Sequence, residues 1–102
     1  MRHHVYALKS TRHPDRPYVI DLQNNLLSEL GTRLVAPLQR KSSVDSAEII
    51  DELMPIVTID GEAFVLFTQE AAAYPVRGLG PALADLSFHS SELTSALDRL
   101  IG

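Results

Sequence analysis

Hydrophobic positions along this chain change their period several times, and each change marks an element. Tyr18, Ile20 and Leu22 alternate with Val19 and Asp21, the two-residue period of a strand with one face on a core. Gln23-Asn24-Asn25 breaks the alternation as a turn signal. Leu26 and Leu27 follow within a loop, Gly31 reads as a second turn, and an extended run covers Arg33 to Leu38. Pro37 has no N–H for a ladder, so this strand is expected to end there or to lie at a sheet edge. An earlier strand is read over residues 4–8, a charged loop with Pro14 and Pro17 over 10–17, and a polar loop over Gln39 to Ser46.

Ile49, Ile50 and Leu53 share a face at helical spacing, which predicts a turn or two of helix that Pro55 stops. Ile56 to Ile59 and Ala63 to Phe67 flank Asp60-Gly61. An Asp-Gly pair suits a type I′ turn because both central residues need positive φ. Glu70 to Tyr74 is open between helix, from its alanines, and strand, from Tyr74-Pro75-Val76. Gly78, Gly80 and Pro81 read as a loop. A helix is read from Ser87 to the end, with Leu93, Ala96, Leu97, Leu100 and Ile101 as its apolar stripe. Ser87 is a candidate N-cap, and Glu92 sits where a negative charge suits the helix dipole.

Strands followed by one terminal helix make an α+β pattern with an antiparallel sheet. The 102 residues are expected to form one domain, 1–102, with a modest core. Hydrophobic residues are 45% and charged ones 22%, a globular balance. The formal charge of -4 without a basic run argues against a sequence-independent grip on nucleic acid. No cysteine is present, which excludes disulfides and thiolate metal sites. Neither a signal peptide nor a membrane-length apolar run is read, so a soluble cytoplasmic protein is expected.

Catalytic chemistry finds little to stand on. Adjacent His3 and His4 point to opposite faces of a strand, and no His-x3-His spacing occurs, so no metal site is expected. Asp45, Glu48, Asp51 and Glu52 form a loose group, as on a solvated acidic surface. Gly-x-Ser-x-Gly is absent, and Gly78-Leu79-Gly80-Pro81 is not a phosphate loop. No cofactor is implied. Lys9, Arg12, Arg16, Arg40 and Lys41 are the one positive grouping. It serves either solubility or the docking of an acidic, disordered segment.

The order strand, Asp21-Leu22-Gln23, two apolar loop residues, Gly31, Arg33, then Val35-Ala36-Pro37-Leu38 resembles the CcdB family, the toxins of plasmid and chromosomal toxin–antitoxin modules. Leu53 to Ile59, Ala84-Asp85-Leu86-Ser87 and the opening Val5-Tyr6 extend the likeness over essentially the whole chain. The resemblance implies a small SH3-like antiparallel barrel with an extra hairpin and a C-terminal α-helix. It implies a homodimer that is not an enzyme. Such a protein wedges itself against the A subunit of DNA gyrase while the DNA is cut, and the disordered part of an antitoxin neutralises it. It further implies an antitoxin-binding patch at Lys9, Arg12, Arg40 and Lys41, and a target-binding surface at Leu26, Leu27, Asp98, Ile101 and Gly102. On pattern alone, Leu26 and Leu27 are read as buried; their role at the target comes from the resemblance.

One departure stands out. The family ends its helix in Phe-Trp-Gly-Ile, and its Trp stacks on an arginine of gyrase. Carried over, the Asn ahead of that motif is Asp98, the Phe is Ile101, and the Trp falls on Gly102. No tryptophan occurs in the chain. An aromatic anchor at an interface is worth roughly 2 kcal/mol or more, about thirtyfold in affinity. Weakened gyrase poisoning is therefore expected. The alternatives are a MazF-like endoribonuclease, for which Arg33 beside Thr32 is the available candidate, and a non-toxic dimer that binds an antitoxin.

Overall fold

A computed structural model describes residues 3–10, 12–22, 31–86 and 89–101. The turn at Gln23 to Asn25, Leu26, Leu27, Ser87 and Gly102 lie outside the described residues. The seven strands are β1 (His4–Leu8), β2 (Tyr18–Asp21), β3 (Thr32–Arg40), β4 (Ile56–Ile59), β5 (Glu62–Leu66), β6 (Ala72–Pro75) and β7 (Leu79–Asp85), followed by helix α1 (Ser90–Ile101). They form one curled sheet in the order β4-β5-β3-β2-β1-β7, with β6 also paired to β3. Every pairing is antiparallel. The architecture is α+β, a half-barrel with a C-terminal helix.

The alternation read over Tyr18 to Leu22 sets Tyr18, Ile20 and Leu22 on one face as expected, but Val19 and Asp21 on the other face are buried as well. Ile20 and Leu22 enter the main core with Tyr18 against them, and the Tyr18 ring lies 5.3 Å from that of Phe64. On β3, Ala36 and Leu38 enter the same core with Leu34 packed against it. The intervening Val19 and Val35 join Leu79 in a second cluster on the other face, where Tyr6, Leu8 and Tyr74 pack. Helix α1 closes the main core with Leu93 and Ala96, both fully buried, and with Leu97 packed alongside. The stripe then runs out of partners: Leu100 is 41% exposed and Ile101 78%.

The β4–β5 hairpin turns on Asp60 (φ 51°) and Gly61 (φ 80°), the two positive values a type I′ turn requires. Three other expectations are corrected. Pro37 neither ends β3 nor sits at an edge; it lies inside a nine-residue strand opposite Val19. Its carbonyl accepts from Phe67 N–H, so its ring nitrogen faces the same side, between the stretches that pair β6 and β5. No hydrogen bond to β2 is lost there, because that side is served by the alternate residues. The supposed loop from Gln39 contributes Gln39 and Arg40 to β3, then a 3-10 turn at Lys41–Ser43.

The third correction concerns Gly80 and Pro81, read as loop but placed in β7. This strand is an edge, where a missing N–H is tolerated. A Cβ on Gly80 would stand 2.9 Å from the Ala7 carbonyl oxygen, so glycine permits the close approach of β7 to β1. The undecided stretch near Glu70 is a 3-10 turn at Thr68–Glu70 followed by β6. Between Ser46 and Leu53 the helical expectation reduces to a 3-10 turn at Ser46–Glu48, capped by Asp45 on Ala47 N–H at 2.9 Å, and a turn before Met54. Ile49 and Leu53 still pack together, against Met54, Val65 and Phe67.

Candidate interaction surfaces

The basic grouping surrounds the loop over residues 9–17. Backbone hydrogen bonds tie that loop to the sheet, among them Leu8 N–H to Pro17 O at 3.0 Å and Arg40 N–H to Asp15 O at 2.9 Å. It therefore lies beside the end of β3 at Arg40, which Lys41 follows in the 3-10 turn. Not all of its positive charge is available. Arg16 grips Glu70 with two nitrogens at 2.7 and 2.9 Å, donates to Gln39 at 2.7 Å, and stacks over Phe67 at 4.6 Å. The hydrogen bonds from Arg16 hold the Glu70 carboxyl below its usual pKa.

Arg40 is similarly occupied. Its Nη1 lies 2.5 Å from Glu62, its Nε 3.9 Å from Asp15, and its guanidinium 5.6 Å from the centre of Phe64. Lys9, Arg12 and Lys41 are exposed. These three form no ion pair among the described residues and are the charges that a partner meets first. Nothing in the sequence pattern separated them from Arg16 and Arg40, because that depends on where Glu62 and Glu70 fold back.

Of the target-binding candidates, Asp98 and Ile101 are described. Both are exposed on the last turns of α1. Asp98 lines a groove of about 980 Å³ between α1 and the segment Asp51 to Ile56. Leu26, Leu27 and Gly102 lie outside the described residues.

Arg33 is corrected as a candidate for contacting RNA. Its guanidinium is turned inward and almost fully buried against Asp21, which is 0% exposed. Nε donates to Oδ2 at 2.8 Å, and Nη2 lies 2.6 Å from the same oxygen. Asp21 stands opposite Val35 in the β2–β3 register, so Arg33 is its diagonal neighbour on the same face. Tyr6 packs on that face. Burial, then the Asp21 carboxylate, raises the Tyr6 phenol above its ordinary pKa, while Arg33 opposes this. The phenol stays protonated beside the ion pair.

Among the described residues, no group of three His, Asp or Glu side chains is arranged to hold a metal ion, and no helix is long and apolar enough to cross a membrane. The chemistry on offer is that of surfaces: a charged loop, an exposed helix end and a groove. A family model described as "CcdB protein" matches residues 2–102.

Proposed function

Because the chain belongs to the CcdB family, a family of toxins from toxin–antitoxin modules, we propose that it acts as a non-enzymatic wedge directed at the A subunit of DNA gyrase. The match over residues 2–102 is the observation that carries this reading. The burial of Arg33 against Asp21 supports it, because it removes the candidate for an RNA-cleaving site. The proposed target-binding surface combines Leu26, Leu27, Asp98, Ile101 and Gly102. With glycine at the position of the family's stacking tryptophan, poisoning is weakened.

Induced expression is expected to arrest bacterial growth, and the purified protein to inhibit gyrase supercoiling without cutting RNA. RNA cleavage in vitro would instead favour an endoribonuclease. Normal growth with a bound antitoxin would favour a non-toxic dimer.

The working form is a homodimer. Twofold pairs are the commonest assemblies, and Leu83 on the edge strand β7 leaves a large apolar side chain in water, at 46% exposure. Light scattering at micromolar concentration is expected to return twice the chain mass; a monomer mass would overturn this.

The antitoxin's disordered acidic segment is proposed to dock on Lys9, Arg12, Arg40 and Lys41. Rim charges of this kind act mainly on association rate and are screened by salt. Lys9→Glu with Lys41→Glu should slow association several-fold at low salt and flatten its salt dependence in stopped-flow mixing. These positions test the surface better than Arg40→Glu, which would set a carboxylate beside Glu62 and Asp15. Unchanged association would move the antitoxin elsewhere.

A further inference from the structure

The groove between α1 and the segment Asp51 to Ile56 has a two-part lining. Met54 and Pro55 are buried in its wall, while Ile56 stays 40% exposed. Around them stand four carboxylates, Asp51, Glu52, Glu92 and Asp98, against one cation, Arg99. Arg99 is taken by Glu52 at 2.5 Å, so those two charges cancel. Among the described residues, Glu92 meets only His89, at 3.3 Å. The groove thus joins exposed aliphatic surface to a net negative rim. On α1 the lining residues Ser91, Ser95 and Asp98 fall on the face opposite the buried Leu93 and Ala96, at three- and four-residue spacing. The helix therefore offers its polar face to whatever enters.

We propose that this groove is a docking surface for a cationic, amphipathic polypeptide segment of a partner protein, its apolar side chains on the exposed Ile56 and its Lys or Arg side chains on Asp51, Glu92 and Asp98. Charge complementarity selects this occupant. A second copy of the chain seated symmetrically on the groove would bring the same carboxylates together in a protein of net charge -4, where close like charges repel. An acidic segment is repelled for the same reason, so this surface is distinct from the Lys9 and Lys41 surface. A divalent cation lacks a converging set of ligands among the described residues. The groove shares Asp98 with the proposed target-binding surface, but the inference rests on its own lining, chiefly Asp51, Ile56 and Glu92.

The test uses a fluorescent Leu/Lys amphipathic peptide and the full chain, followed by anisotropy. Saturable binding is expected, weakening with added salt. Glu92→Gln combined with Asp98→Asn should weaken it by about tenfold or more, and Ile56→Ser should weaken it separately. All three side chains are exposed, and circular dichroism confirms that the fold is kept. Amide shifts in NMR should centre on Ile56 and Ser95. The proposal is overturned if the double variant binds equally well, if a Leu/Glu peptide binds as tightly, or if a Lys peptide without an apolar stripe does. It is also overturned if the double variant changes the chain's own oligomeric state, which would mark a contact between copies.

Discussion

Arg33→Ala is expected to lower the unfolding free energy by about 3–5 kcal/mol, because it leaves the Asp21 carboxylate in the interior without its cation. Asp21 is 0% exposed, and Arg33 reaches it from the neighbouring strand at 2.6–2.8 Å. Asp21→Ala should be damaging for the mirror reason. The paired replacement, Asp21→Leu with Arg33→Met, should recover much of the loss, since desolvating two charges offsets most of what their attraction returns. Urea unfolding of the parent chain, Asp21→Leu, Arg33→Met and the double variant closes the cycle. Additive losses in the double variant would mean that the pair does not act as a unit.

Gly102→Trp is expected to strengthen inhibition of gyrase by about thirtyfold, the value of one aromatic anchor at an interface. The resemblance places this position where family members stack an indole on an arginine, and a guanidinium plane gains little from glycine. Its neighbour Ile101 is 78% exposed, so the end of α1 faces outward where a partner can reach it. The readout is linear DNA from a plasmid cleavage assay with purified gyrase. The unsubstituted protein should yield little at submicromolar concentration. No gain from the tryptophan would point away from gyrase as the target.

What the sequence made legible follows the range of the physics. Tyr18, Ile20 and Leu22 reveal their strand because alternation is a local property, and Asp60-Gly61 reveals its hairpin because positive φ is a residue property. The middle of β3 was obscured by Pro37, whose effect depends on which neighbour lies on its N side. Gly80 looked like a turn glycine because its real constraint, the Ala7 carbonyl, is a tertiary neighbour. At the candidate surfaces the same division holds. The basic residues were visible, but Arg16 and Arg40 are engaged by Glu70 and Glu62, far along the chain. Asp21 and Arg33 could be paired only once the β2–β3 register was known. The groove combines two segments more than thirty residues apart, such as Asp51 and Asp98, and no window of sequence contains it.

The position of β1 has a consequence for the timing of synthesis. This strand lies between β2 and β7, with Val5 fully buried and His4 opposite Asp85. Its outer partner is therefore made after the other strands of the sheet, and the helix that covers the core comes later still. A nascent chain can form the β4–β5 hairpin and the β2–β3 pair while it is attached to the ribosome. The first strand must then wait with one edge open. Closure of the sheet consequently waits for β7 and is set by long-range pairing that is slow to find. The docking groove, built from Asp51 to Ile56 and α1, exists only after that event. A partner that recognises the groove meets molecules in which β7 and α1 are already in place.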